Sequence, residues 1–387
     1  MTDRRLQPSA AVMVLLLGSL FASGLNAQQA SLVTYGPGAE VWELFGHNSL
    51  WIEDEATGLD HTFSFGYFEL DRPGFHRDFA EGIMLYFGAA SDSETEFARY
   101  RHVDRAIRVQ RLNLTPEQVR HLYRLLDEAI FPQPQYYQYD YYRANCSTWL
   151  RDLLDEVLDG ALAEQLKSEP ARHNFRDHTR RMTRERFWIH TGIMLTLGPA
   201  IDRPRNAWEE AFLPDRLADW LVDMEINGEP VVTNDEVIFE SQSHELAEKI
   251  SGPRLGYAVL GLLSLILILW PAIKGQGTVS RIPWYFGLVA AGLGGSVLLF
   301  MWLRTGHEDT WNNAMLLLLN PLWLVFLLPG LEYFKRLCWW LLAAGVASGS
   351  LLLSWPDGFQ FRFDQLLWIT PLCVALLIVA RLEKKPQ

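Results

Sequence analysis

At 387 residues and a formal net charge of −12, the chain has room for a soluble domain plus a second region and is too acidic to favour a nucleic-acid partner. It holds no basic tract or Gly-rich phosphate loop; the glycines from Gly287 to Gly295 lie in an apolar stretch, where they read as helix packing. Most charge precedes residue 254, and long apolar runs fill the rest.

Residues 1–27 read as a secretory signal. Arg4 and Arg5 precede the apolar stretch Ala10 to Phe21, and small residues end at Leu25-Asn26-Ala27. Cleaved after Ala27 or kept as an anchor, this segment exports the region from residue 28 onward. Of the three cysteines, Cys146, Cys338 and Cys373, only the first lies in the soluble region 28–253. An exported domain with one thiol has no disulfide framework, so that thiol is expected to be either buried or reactive.

Two strands are expected between residues 41 and 67. Phe45, His47, Ser49 and Trp51 alternate with Gly46, Asn48, Leu50 and Ile52, and a Thr57-Gly58 turn leads into His61-Thr62-Phe63-Ser64-Phe65-Gly66. A third strand is expected from Ala106 to Leu112. Thr115-Pro116-Glu117-Gln118 then opens a helix with a capping box and proline at its first position. After the Tyr/Gln/Pro-rich loop 132–142, Asn145 caps a second helix that starts with Cys146. A sulfur in the first turn meets free backbone N–H groups and the positive end of the helix dipole, which predicts a lowered thiol pKa. Cys146 shares a face with Leu150, Leu153, Leu154 and Val157, so it should point at the sheet carrying His47. That is the arrangement a cysteine nucleophile and its base require. His61 is the first candidate to orient His47, with Ser64 as its rival.

In 160–253, the arginines from Arg172 to Arg186 read as a solvated helix face, with phosphate contact as the alternative. His173, His178 and His190 lack a metal-ligand spacing, so neither a metal nor another cofactor is expected. Asn227-Gly228 reads as a hairpin turn, and the Asp202 to Trp220 segment as packing that holds the domain together or against the membrane.

Five apolar stretches occupy 254–387: Leu255–Ile273, Pro283–Leu303, Asn313–Leu331, Leu337–Trp355 and Leu366–Ala380. Each is near the ~20 residues that span a bilayer. Lys274, Arg281, Lys335, Arg336, Arg381, Lys384 and Lys385 lie between or beyond them on one side, with only Arg304 and Arg362 on the other. The first set belongs in the cytoplasm, which leaves the soluble domain outside. The polar cluster His307-Glu308-Asp309 with Asn312, Asn313 and Asn320 falls on the outer side.

Glu43-Leu44-Phe45-Gly46-His47-Asn48-Ser49-Leu50, Phe63-Ser64-Phe65-Gly66-Tyr67-Phe68 and Asn145-Cys146-Ser147-Thr148 resemble motifs of the Lnb-type lipoprotein N-acyltransferase family. So do Leu197-Gly198, Asp202-Arg203-Pro204, Trp208 through Pro214, and His307 with Asn320-Pro321. Trp149 departs from the pattern, standing where the resemblance suggests a basic residue. The resemblance implies an α+β fold: a circularly permuted papain-like domain, related to lecithin:retinol acyltransferase and NlpC-type peptidases, before a five-helix transmembrane bundle. It implies Cys146 as nucleophile and His47 as base. Asn48, Ser64, Asn145, His307 and Asn313 are the candidates for substrate contact. The implied reaction moves a fatty acyl chain from a membrane phospholipid, through a Cys146 thioester, to the α-amine of a diacylglyceryl lipoprotein at the bacterial inner membrane. The same dyad also suits a peptidase or amidase acting on peptidoglycan, and a non-catalytic envelope scaffold would use Cys146 only for packing.

Overall fold

The computed structural model describes residues 28–244, 248–274, 281–356 and 360–382; the signal segment expected over residues 1–27, with Lys384 and Lys385, lies outside them. The soluble part opens with β1 (Gln29–Tyr35), β2 (His47–Asp54), β3 (Leu59–Tyr67), α1 (Phe75–Glu81), β4 (Leu85–Asp92), α2 (Ser93–His102) and β5 (Ile107–Leu112). It continues through α3 (Pro116–Ile130), β6 (Tyr137–Gln138), α4 (Cys146–Val157), α5 (Ala161–Ser168), α6 (Phe175–Thr183) and α7 (Phe187–Thr196). It closes with α8 (Ala207–Glu210), α9 (Pro214–Val222), β7 (Glu225–Ile226), β8 (Glu229–Pro230) and β9 (Val232–Phe239).

Seven strands make one antiparallel sheet in the order β6-β4-β3-β2-β1-β5-β9. Because side chains alternate along a strand, β1, β2 and β3 send Leu32, Leu50, Ile52, Phe63 and Phe65 into a core shared with α3 and α4. The opposite face sends Val33 and Tyr35 against Phe97 and Tyr100 of α2. α3 has the expected box, Thr115 accepting from Gln118 N and the Gln118 side chain accepting from Thr115 N. The Asn227-Gly228 hairpin turn is present, both residues at positive φ (56° and 82°) between β7 and β8.

Asn48 fastens α4 to the sheet. Fully buried, it accepts from Ser147 Oγ (2.8 Å) and donates to Thr34 Oγ1 (2.8 Å). Asn48→Ala should leave both hydroxyls without these partners and cost about 2–3 kcal/mol, read as a lower melting temperature of the full-length protein in detergent.

The basic stretch differs from expectation. Arg176, Arg180 and Arg181 of α6 are buried, not solvated. Arg176 pairs with Asp202, Arg181 with Asp215 (2.9 Å), and Arg180 with Asp177 (3.3 Å). Their carboxylate partners and the burying surface come mostly from distant segments; Arg180, for example, also donates to Phe361 O.

Four helices among the described residues are long and apolar enough to cross a membrane: α10 (Arg254–Ile273), α11 (Ile282–Arg304), α12 (Glu332–Ser354) and α13 (Phe363–Leu382). The third expected span is no continuous helix. It consists of two 3₁₀ segments, Ala314–Leu317 and Pro321–Leu327. Asn313 and Asn320 each turn a side-chain oxygen onto the N–H two residues on (Met315 and Leu322), and Pro321 has no N–H to extend a helix. Glycines let this irregular backbone lie close: a Cβ on Gly292 would strike Leu324, and one on Gly295 the backbone of Asn320. At the ~2 Å rise of a 3₁₀ turn, Ala314–Leu327 approaches the ~30 Å thickness of a hydrocarbon core. Surrounding helices shield it, the condition under which broken backbone is tolerated at that depth.

Candidate active site

Cys146 is the first residue of α4. Asn145 Oδ1 accepts from Thr148 N (3.0 Å), Thr148 Oγ1 accepts from Asn145 N (2.7 Å), and Asn145 Nδ2 donates to the Tyr141 and Phe212 carbonyls (2.9 Å each). Every polar group of the Asn145 side chain is thus committed to fixing the helix start. Cys146 is a free, half-buried thiol. The backbone N–H groups of Asn48 and Ser147, the Ser147 hydroxyl and its own N–H favour the thiolate, yet burial outweighs them and raises the pKa above its ordinary value. The lowered pKa expected from the helix start alone is therefore reversed by desolvation.

His47 begins β2. Its partner across the ladder is Tyr35, and the two rings stack with centroids 6.1 Å apart. The pleat turns this imidazole to the α2 face, whereas α4 lies on the other. Among the described residues the ring makes no hydrogen bond to sulfur. The sulfur faces the strand end that carries His47, because Asn48 N–H, which bonds the sulfur, is joined directly to the His47 carbonyl carbon. Burial first, then the positive charges of Arg105 and Arg99, push the His47 pKa down to about 3. The resting pair is a neutral thiol and a neutral imidazole.

The other sequence candidates fall elsewhere. Register sets Ser64 opposite Ser49 and His61 opposite Ile52. His61 is thereby five residues along β2 from His47, about 16 Å at ~3.3 Å per residue, and cannot orient it. Ser64 bonds Ser49 (2.6 Å) on the α2 face, where Ser49 and Tyr35 both donate to the buried Glu96. Asn313 donates to the Leu195 and Thr196 carbonyls and ties α7 to the membrane-type helices. His307 Nε2 donates to Phe79 O (2.8 Å). The side chains of Asn48, Asn145 and Asn313 are thus scaffold groups.

Three features escaped the sequence. Gly66, at φ 100° in the β3 bulge, lies where a Cβ would stand 3.8 Å from both Cys146 Cβ and the Tyr139 ring. Tyr137 and Trp149 form an aromatic wall behind the sulfur, Trp149 stacked on Phe65 at 4.8 Å. Arg143, three residues before Cys146, makes a bidentate pair with Asp309 (2.8 and 2.7 Å), just beyond the end of α11. The aromatic density of 132–142 was the available signal for the wall; nothing local pointed to an ion pair across 166 residues.

Residues 21–183 match the Lnb N-terminal periplasmic domain, and residues 247–385 match the Lnb transmembrane domain. The chain belongs to the Lnb family. No curated protein and no solved structure matches it. As an Lnb family member it is a membrane protein with a periplasmic domain, so the face bearing Arg143–Asp309 is the periplasmic face of the transmembrane domain. Arg304 and Arg362, the two cations counted on the outer side, lie at that face, Arg362 buried against the Leu197 carbonyl of the periplasmic domain.

Proposed function

We propose that this protein is a lipoprotein N-acyltransferase of the bacterial inner membrane, built on a permuted papain-like domain, with Cys146 as nucleophile and His47 as base. The observation that carries the reading is a thiol at a capped helix start, ringed by backbone N–H groups and tied by Arg143–Asp309 to the membrane surface. Lipid esters and lipid-modified acceptors both concentrate there. A peptidoglycan hydrolase would not need its sulfur at that height.

In this mechanism the imidazole turns from Tyr35 toward the sulfur and takes its proton. The thiolate attacks an ester carbonyl carbon of a membrane phospholipid, and the N–H groups of Asn48, Ser147 and Cys146 supply donors for the developing oxyanion. The carbon–oxygen bond to glycerol breaks, the departing alkoxide takes the proton from His47, and a thioester is left on Cys146. The lipoprotein α-amine then attacks, the carbon–sulfur bond breaks, an amide forms, and the amine proton returns through His47 to sulfur. Splitting the transfer in two lowers each barrier.

The test is intact-protein mass spectrometry after incubation with phospholipid bearing isotope-labelled acyl chains. A labelled acyl group on Cys146, discharged by a diacylglyceryl peptide as a labelled amide, is expected. An amide carrying unlabelled chain would move the donor role to the acceptor's own esters, and absence of any Cys146 adduct would remove the acyl-enzyme.

Arg143→Ala offers a second check. The pair is half-exposed on the arginine side, so the stability loss should stay near 1 kcal/mol or below, whereas acylation from membrane lipid should fall about tenfold as the sulfur loses its register with the bilayer. A short-chain soluble ester should react at an unchanged rate.

A further inference from the structure

A run of aromatic rings joins the sulfur to the membrane surface. Tyr139, which brackets Gly66 with Cys146, stacks on Tyr86 at 4.3 Å between centroids. Tyr86 meets Phe68 at 4.9 Å, Phe68 meets Phe75 at 5.7 Å, and Phe75 meets Phe79 at 6.1 Å. Phe79 then reaches His307 at 6.0 Å, and Gly306 N donates to Glu81 O, so the run ends on the residues that directly follow α11.

These rings pack on one another, Phe75 and Tyr86 being buried, but lie apart from the domain's main clusters. Among the described residues Tyr139, Tyr86, Phe68, Phe75 and Phe79 belong to none of the four hydrophobic clusters. The rim is open: Phe79 is 39% exposed, Tyr141 beside Tyr139 is 44% exposed, and Trp42 edge-on to Phe68 is 61% exposed. At the sulfur end, the Tyr137 hydroxyl is buried beside Cys146 and the Gly66 backbone N–H, and among the described residues no acceptor receives its own proton. Large apolar rings left open beside a bilayer call for an apolar occupant, and a buried hydroxyl calls for an acceptor.

The geometry points to this track as the seat of a fatty acyl chain drawn from the outer leaflet, its ester carbonyl presented to Cys146 and to the Tyr137 hydroxyl. The inference rests on the acyltransferase reading for its use, but not for its test. Continuity with the end of α11 sets the occupant, since the track opens where lipid lies. Gly66 fits the same account, because a side chain there would fill the gap between sulfur and Tyr139.

Full-length Cys146→Ala protein, which cannot turn over, would be placed in nanodiscs of phosphatidylglycerol containing a fraction with a diazirine at the end of one acyl chain. After illumination, peptide mapping should find label within residues 68–86 and 136–142 as well as on the apolar helices. Trp42→Ser and Tyr141→Ser, both at exposed positions, should lower label on these two periplasmic segments at least about threefold, with melting temperature and helix labelling unchanged. Label confined to the transmembrane helices, or label on the track indifferent to both substitutions, would overturn the proposal. Track labelling in a protein whose native Cys146 never acquires an acyl group would uphold the seat and reject the acyl-enzyme.

Discussion

Cys146→Ala should abolish N-acylation of lipoprotein termini, with a loss of at least about 10³-fold. Mass spectrometry of lipoprotein N-termini from cells carrying only the variant is the measurement. The expected loss is a chemical one: the thiol is half-buried, its side-chain hydrogen bond to Ser147 is long at 3.9 Å, and α4 is held by Asn145, Thr148 and Asn48. The variant should therefore match the native protein in melting temperature to within about 1 kcal/mol of stability. Cys146→Ser tests the same point more severely. It keeps size and hydrogen bonding but substitutes a hydroxyl whose ionisation a neutral imidazole supports poorly. Normal lipoprotein maturation with either variant would assign Cys146 to packing and return the scaffold reading.

What the sequence disclosed about this site was local, and what it hid was relative. Asn145 before Cys146 and Thr148 two residues after it spell a helix start in four residues, and the structure has that cap bond for bond. The strand carrying His47 was equally legible from its alternation. Which face His47 occupies was not, because both faces of β2 are lined by large side chains: Leu50 and Ile52 on one, Trp51 on the other. The His61 assignment failed for a related reason. Two strands joined by a turn were recognised, but the register that pairs Ser49 with Ser64 depends on turn geometry and cross-strand packing. Hydropathy found the apolar stretch after Asn313 but could not distinguish a helix from 3₁₀ segments, since both bury the same residues. The arginines of α6 read as solvated because Asp202, Asp215 and the Phe361 carbonyl that receive them are remote in sequence.

His47→Gln should lower acyl transfer by about 10²–10⁴-fold, the usual worth of a general base, and the pH profile decides whether the residue acts as one. In the folded protein burial and the cations Arg105 and Arg99 hold the imidazole at about 3, against 6.5 for a free histidine. It therefore stays unprotonated well below pH 6.5. Burial meanwhile keeps the Cys146 thiol protonated above its ordinary range. The acyl-transfer rate of the native protein should accordingly be flat through neutrality, with its acidic limb below, not at, pH 6.5. Arg99→Gln removes one repelling charge from the exposed side of α2 and should move that limb toward 6.5. A limb at 6.5 in the native protein, unmoved by Arg99→Gln, would exclude the buried imidazole as base. Stability carries a matching signature. The unfolded chain takes up a proton at position 47 as pH falls through 6.5 while the folded chain refuses it until about 3, so folding weakens across that window. His47→Gln removes this contribution, and the variant should lose less stability than the native protein between pH 6.5 and 4, whatever its effect on rate.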